Sequence, residues 1–249
     1  QIGDDNVGQR WLYMSQWAYG GTTSMDLNQT KSIYEWYRES AIGNPDVKWE
    51  TVTKMNVGLD YNLFKGLIAG SVEVFQDDRT DILVSGGERS VPGYFGGTPP
   101  TVNLGRVRAT GYELELRVNK QFRNSLRLWG NFNMTHAENV ILKKDDPELL
   151  PNYQKQAGYA IGQYRSHIDA GFLNTWDEVY GSPAHETNDA QRLPGDYYIV
   201  DFDGNGVIDS KDSAPYGFTG TPENTYNATI GVEYKGFSAF VQLYGVTNV

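Results

Sequence analysis

Asp201, Asp203, Asn205, Asp209 and Asp212 put oxygen-bearing side chains at positions 1, 3, 5, 9 and 12 of one twelve-residue run. That run reads Asp201-Phe202-Asp203-Gly204-Asn205-Gly206-Val207-Ile208-Asp209-Ser210-Lys211-Asp212. Gly206 stands at position 6, where such a loop turns sharply, and Val207 at position 7 offers a main-chain carbonyl. Oxygens at this spacing can converge on one point, and the cation that asks for six to eight hard oxygen ligands is calcium. The expectation is one calcium ion held by Asp201, Asp203, Asn205, the carbonyl of Val207, Asp209 and Asp212. Position 12 carries Asp where such loops ordinarily carry Glu, so two-oxygen ligation there is less assured. An acidic, Gly-rich turn without metal is the plainer reading. The flanks Tyr198-Ile199-Val200 and Ser213-Ala214-Pro215 do not read as helices, so the loop is free-standing and its expected role structural.

Other chemistry is thinly supported. His136, His167 and His185 lie far apart without metal-ligand spacing, and no Gly-x-Ser-x-Gly elbow or phosphate-cradling glycine loop occurs. Carboxylate pairs such as Asp77-Asp78, Asp145-Asp146 and Asp177-Glu178 leave a glycosidase dyad open, although solvated loop surface explains them better in so acidic a chain. The expectation is a protein that is not an enzyme. Loop aromatics, among them Tyr94, Phe95, Tyr164, Phe172, Trp176, Tyr197 and Tyr198, can stack on sugar rings or grip peptide side chains. Of these, Tyr94, Phe95 and Trp176 are retained as substrate-binding candidates, and burial within folded loops is the competing reading for each.

The elements that would carry these loops are strands. The 249 residues include 17 Tyr, 6 Trp, 10 Phe and 28 Gly, an all-β profile of side chains that suit pleated surfaces and glycines that supply turns. The formal net charge of -10 argues against nucleic acid as a partner. With no cysteine, disulfides, thiolate zinc and a cysteine nucleophile are excluded. No apolar run approaches the ~20 residues of a membrane helix, and no signal peptide opens the chain.

Period-two alternation marks the strands. Trp49, Thr51, Thr53, Met55, Val57, Leu59 and Tyr61 share one face, and Tyr112, Leu114, Leu116 and Val118 oppose Glu113, Glu115, Arg117 and Asn119. Leu126, Leu128, Gly130, Phe132 and Met134 form a third apolar row, and Tyr226, Ala228, Ile230, Val232 and Tyr234 a fourth. Weaker partners run through Leu67–Phe75 and Phe237–Tyr244. The clean runs approach or exceed the ~9–11 residues that a tilted strand needs to cross a bilayer. Short links at Asn62–Lys65, Lys120–Asn124 and Lys235-Gly236 alternate with long ones at Asp77–Ala109 and at 136–225. Short turns at one end and long loops at the other are the asymmetry of an outer-membrane barrel. Tyr61, Phe64, Phe122, Tyr234 and Phe237 flank the short turns, at the level of a membrane–water interface. The expected fold is all-β: part of an antiparallel, up-and-down transmembrane β-barrel with short periplasmic turns and long extracellular loops. The segment 136–225 is the longest such loop and holds the calcium-type run at 201–212. The first forty residues alternate poorly and read as another outer loop.

Several segments resemble the SusC/RagA-type TonB-dependent outer-membrane transporters. Ile42-Gly43-Asn44-Pro45-Asp46-Val47-Lys48-Trp49-Glu50 resembles the family's lead into a barrel strand, and Thr80-Asp81-Ile82-Leu83 follows the next strand as it does there. Asn103-Leu104-Gly105 before Gly111-Tyr112-Glu113-Leu114-Glu115, Gly162-Gln163-Tyr164 before Gly171-Phe172, Pro194-Gly195-Asp196 before the acidic run, and Tyr234-Lys235-Gly236-Phe237 complete the likeness in order along the chain. The resemblance implies import of oligosaccharides or oligopeptides through the outer membrane of a Gram-negative bacterium. It implies a SusD-like surface lipoprotein as a lid, the TonB complex as energy source, and contact of the barrel with outer-membrane lipid. The sequence departs from the family in having no TonB box, no plug domain and no terminal strand ending in an aromatic. The expectation is therefore that residues 1–249 are a contiguous part of such a barrel, incomplete at both ends. A soluble, calcium-stabilised β-domain that binds glycans at the cell surface is the alternative. It predicts Leu114, Leu116, Val118, Ile230 and Val232 packed against a second sheet.

Overall fold

The structure is a computed structural model that describes residues 11–23 and 34–249. Strands β1 (Gln16–Thr23) and β2 (Tyr34–Ala41) pair with each other. Next come β3 (Thr51–Leu63), β4 (Ile68–Val84), β5 (Val102–Gln121) and β6 (Leu126–Lys143). The segment after β6 holds β7 (Gln163–Ser166), β8 (Asp169–Phe172), the short helix α1 (Trp176–Gly181), β9 (Ala184–His185), β10 (Tyr197–Ile199), β11 (Val207–Ile208) and β12 (Ala214–Thr219). β13 (Asn224–Tyr234) and β14 (Phe237–Thr247) close the order. The six long strands form one sheet in the order β14-β13-β6-β5-β4-β3, so each pairs with its sequence neighbour among them. The neighbour-to-neighbour pairing expected of an up-and-down antiparallel sheet is thereby observed, the run at 111–119 in β5 lying beside the run at 126–134 in β6.

The chain divides into two compact units, which are treated separately. One comprises 1–54, 77–108 and 141–148; the other comprises 55–76, 109–140 and 149–249.

In the second unit the registers of β6, β13 and β14 sort the side chains cleanly, because one residue step moves a side chain to the opposite face. Leu126, Leu128, Gly130, Phe132 and Met134 stand beside Tyr234, Val232, Ile230, Ala228 and Tyr226. These in turn stand beside Phe237, Ala239, Val241, Leu243 and Gly245. The opposite face carries Arg127, Trp129, Asn131, Asn133 and Thr135, then Glu233, Gly231, Thr229, Asn227 and Thr225, then Ser238, Phe240, Gln242, Tyr244 and Val246. The apolar face is bare: Ile230 is 69% exposed, Val241 64% and Leu243 61%. In β5, Tyr112 and Val118 are exposed while Leu114 and Leu116 are half-buried. Among the described residues, the buried apolar side chains are Val84, Leu173, Val179, Ile208 and Ala214, none of them in these rows. Among the described residues, no second sheet covers Ile230 and Val232, whereas the soluble alternative requires one.

The turn between β13 and β14 is two residues, Lys235 (φ 47°) and Gly236 (φ 88°). Both central residues are left-handed, which matches the twist of the flanking strands. Gly231 has its own reason to be glycine. The indole of Trp129 lies across it, and a Cβ there would fall 2.2 Å from the ring.

In the first unit the strands run further than their apolar rows suggested. The link read as Asp77–Ala109 shortens to residues 85–101, because β4 continues to Val84 and β5 begins at Val102. Charges on both faces hid this extension. They are matched across the sheet: Lys54 Nζ with Asp77 Oδ2 at 3.2 Å, Arg79 with Glu50 at 3.5 Å, and Arg108 with both oxygens of Asp78 at 2.8 and 3.1 Å. The region read as a first outer loop likewise contains the β1–β2 pair. Its register shifts at Gln16/Trp17 and Tyr19/Gly21 break the alternation by which strands are recognised; residues 1–10 and 24–33 lie outside the described residues.

Candidate functional site

The acidic run is positioned by a small fold within the segment after β6. β8 pairs with β10, β7 with β12, and β11 runs parallel to β9 through Val207↔Ala184 and Ile208↔His185. Leu173, Val179, Ile208 and Ala214 are the buried apolar groups of this segment. Each stabilises it by about 1–3 kcal/mol, Ala214 less. α1 begins on Thr175, whose hydroxyl accepts from Glu178 N.

Within the run, Gly204 (φ 74°) and Gly206 (φ 87°) adopt left-handed backbone, and the chain wraps around Asp201. Asp201 Oδ1 accepts from Gly204 N at 2.7 Å and Asn205 N at 3.1 Å, and Oδ2 accepts from Gly206 N at 2.6 Å. The amide of Asn205 donates to Asp203 Oδ2 at 2.9 Å, and its oxygen accepts from Val207 N at 2.8 Å. Asp212 is fully buried and ties the two ends together: Oδ1 accepts from Phe202 N at 2.6 Å and Asp203 N at 3.3 Å, and Oδ2 from Asp209 N at 2.8 Å. Burial by itself pushes the Asp212 carboxyl up. The N–H groups of Asp209, Phe202 and Asp203 outweigh that and hold it below the usual carboxylate range.

Asp201, Asp203 and Asp212 each bring a carboxylate oxygen within 4.8 Å of the other two. Asn205 joins this group through its bond to Asp203. Asp209 is placed differently: its carboxylate caps the turn Ser210–Asp212 by accepting from Lys211 N at 2.6 Å. Val207 is held by its N–H and by the β9 pairing. The donor set fits calcium in kind, all oxygen, and each carboxylate has about four acceptor positions, of which backbone N–H groups use only some. The loop is also anchored from outside. Tyr153 Oη and Gln154 Nε2 both donate to the carbonyl of Lys211 at 2.9 and 2.8 Å, and His167 Nε2 contacts the carbonyl of Asp209 at 2.8 Å.

The aromatic candidates divide between the units. Tyr94 (92% exposed) and Phe95 follow Pro92 in the 85–101 link of the first unit. Trp176 lies in the second, on α1, stacked on Tyr180 at 6.0 Å. Phe172 and Tyr197 stack at 5.0 Å across the β8–β10 pair. Sequence reading missed Tyr180, although its i, i+4 spacing from Trp176 was visible. It also missed Trp129 and Phe240, whose rings lie 6.5 Å apart on the mainly polar face. The carboxylate pairs have structural partners: Asp145 accepts from Arg89 at 2.7 Å, and Glu178 accepts from Asn174 N at 2.6 Å.

An antiparallel meander whose long strands are joined by short turns and carry a bare apolar face is the pattern expected of a β-barrel wall. The chain belongs to the TonB-dependent receptor-like β-barrel family, whose model matches residues 13–247. It is similar to TonB-dependent receptor P3 of Formosa agariphila, 25% identical over 259 residues that cover 94% of this chain and 25% of that protein. It is also similar to TonB-dependent receptor SusC of Bacteroides thetaiotaomicron, 26% identical over 238 residues, 86% of this chain and 21% of that protein. In fold it resembles the RagAB peptide importer in its open-open state, with a TM-score of 0.60 and 17% identity, covering 96% of this chain and 24% of that one. The chain thus spans about a quarter or less of the length of these relatives.

Proposed function

We propose that this chain forms part of the wall of an outer-membrane importer of large nutrients, oligosaccharides or oligopeptides, in a Gram-negative bacterium. The importer works with a SusD-like surface lipoprotein and draws energy from the TonB complex. The observation that carries the reading is the register of β6, β13 and β14, which gathers the alternating apolar rows of all three strands on one face and places the amides, charges and Thr and Ser hydroxyls on the other, together with Trp129, Phe240, Tyr244 and Val246. On the apolar face Tyr226 and Tyr234 stand eight residue steps apart on β13. That is about 27 Å along a strand at ~3.4 Å per residue, or about 20 Å of height at ~45° tilt. The result is close to the ~25 Å apolar band between the aromatic girdles of outer-membrane barrels. The opposite face, with Asn131, Asn133, Asn227, Thr229 and Gln242 beside Trp129 and Tyr244, suits cargo rich in hydroxyl or amide groups.

In this reading Asp201, Asp203, Asn205 and Asp212, with the carbonyl of Val207 and with Asp209 outside the cluster of carboxylates, hold one calcium ion. Bound calcium neutralises converging carboxylates and stiffens the base of the segment that carries Phe172, Trp176, Tyr180 and Tyr197. Those aromatics face cargo or lid. The test is uptake of labelled oligosaccharide and oligopeptide mixtures by cells with and without the full-length gene, and with TonB depleted. Loss of uptake of one mixture in both cases supports the proposal. Unchanged uptake of both mixtures overturns it.

A further inference from the structure

The acidic loop contains a second kind of chemistry, which needs no metal. Asn205 is followed by Gly206, and a glycine nitrogen is the least hindered backbone nucleophile a side-chain amide can meet. A Cβ placed on Gly206 would have nothing within 4 Å, so no side chain crowds this residue, and Asn205 itself is exposed. The Asn205 carbonyl is already polarised, because its oxygen accepts from Val207 N at 2.8 Å. That donor is placed to stabilise the oxyanion that forms when Cγ is attacked. The nucleophile, in contrast, is restrained. Gly206 N donates to Asp201 Oδ2 at 2.6 Å, a bond that must break before the nitrogen can turn toward Asn205 Cγ. The leaving nitrogen is restrained too, since Asn205 Nδ2 donates to Asp203 Oδ2 at 2.9 Å.

We propose that Asn205–Gly206 is a covalent modification site, a deamidation centre armed by the Val207 N–H and held closed by the Asp201 carboxylate. When the hold is released, the Gly206 nitrogen loses its proton to solvent base and bonds to Asn205 Cγ. The Cγ–Nδ2 bond then breaks, and Nδ2 leaves as ammonia after taking a proton from water. The succinimide ring that results is opened by a second water. Attack at Cγ leaves aspartate at position 205, and attack at the main-chain carbonyl leaves isoaspartate with the backbone routed through Cγ. The net change is amide plus water to carboxylate plus ammonium, with no change of oxidation state. Aspartate adds one negative charge to the loop, and isoaspartate lengthens the backbone and breaks the spacing from position 5 onward. This inference rests on the loop's hydrogen bonds and not on transport; because it shares Asp201 and Asn205 with the proposed calcium site, it is tested in metal-free protein.

The test is peptide mapping by mass spectrometry of the full-length protein in detergent and chelator. It is incubated at mildly alkaline pH in isotopically heavy water, and isoaspartate is scored enzymatically. Wild type, Asp201→Ala, Asp201→Asn and Asn205→Gln are compared, with urea-unfolded wild type as reference. Expected are slow conversion in folded wild type, a rate roughly tenfold higher or more in Asp201→Ala, as loss of a hydrogen bond to a charged group implies, and no signal in Asn205→Gln. Amide exchange at Gly206 in wild type, read separately, is expected to be protected. Conversion of folded wild type at the unfolded rate overturns the proposal. So does an Asp201→Ala rate equal to wild type, or a Gly206 amide that exchanges freely.

Discussion

Replacing Asp212 by Asn isolates the contact that closes the acidic loop. The carboxylate accepts three backbone N–H groups, from Phe202, Asp203 and Asp209, in a fully buried position. The substitution keeps the volume but turns one oxygen into a donor. If the remaining oxygen faces Phe202 and Asp203, the new NH2 points at Asp209 N; if the amide is reversed, it points at the other two. In either orientation a buried N–H is left facing a donor, at a cost of about 1–3 kcal/mol, and the surviving bonds lose the charged acceptor that makes such bonds worth about 1.5–3 kcal/mol. A net loss of about 2–3 kcal/mol of local stability follows, equal to roughly 30- to 150-fold in an opening equilibrium. Amide hydrogen exchange of Phe202, Asp203 and Asp209 in chelator measures this directly. The expected outcome is faster exchange by that factor, with the exchange of β13 and β14 unchanged. Equal exchange in variant and wild type would show that Asp212 does not close the loop.

Four further outcomes are expected. Chelating calcium should raise protease cleavage between Asp196 and Pro222, and restoring it should reverse the effect; cleavage indifferent to the metal sinks the calcium reading. Asp212 has a folded pKa held below its unfolded value of ~3.9, so its stabilisation is complete above about pH 4 and is lost as pH falls through the folded value. In metal-free protein the loop amides should therefore lose protection only in that acid range. Ile230→Arg, on the apolar face, should cost about 2–4 kcal/mol of stability in a bilayer if it lies near the midplane. Thr229→Arg, one residue away on the polar face, should cost far less, and equal costs would contradict the assignment of faces. Arg127→Ala, which removes an exposed pair with Glu233 at 3.3 Å, should change stability by less than about 1 kcal/mol.

The strands were legible where one face is apolar and the other polar, as in Tyr226–Tyr234, whose bounds nearly coincide with β13. They were illegible where both faces are charged. Asp77, Asp78 and Arg79 extend β4 through ion pairs with Lys54, Arg108 and Glu50, and such pairing lies beyond what one strand's pattern reveals. The acidic run was legible because its ligand spacing is local. The diversion of Asp209 to a turn cap was hidden, because it depends on a reciprocal bond with Asp212. Trp129 and Phe240 sit on the polar face because Gly231 between them leaves room for the indole. Only the cross-strand register brings those three positions into one row.

The most direct test of the barrel-wall account uses the absence of cysteine from the sequence. Single cysteines placed at Ala228, Ile230, Val241 and Leu243, and at Asn227, Thr229, Gln242 and Tyr244, can be labelled in intact membranes without background from this chain. The account predicts that the first four react with a lipid-soluble maleimide and resist a charged, water-soluble thiol reagent, and that the second four resist the lipid-soluble probe. Reaction of all eight with the water-soluble reagent, or the same reactivity on both faces, would contradict it.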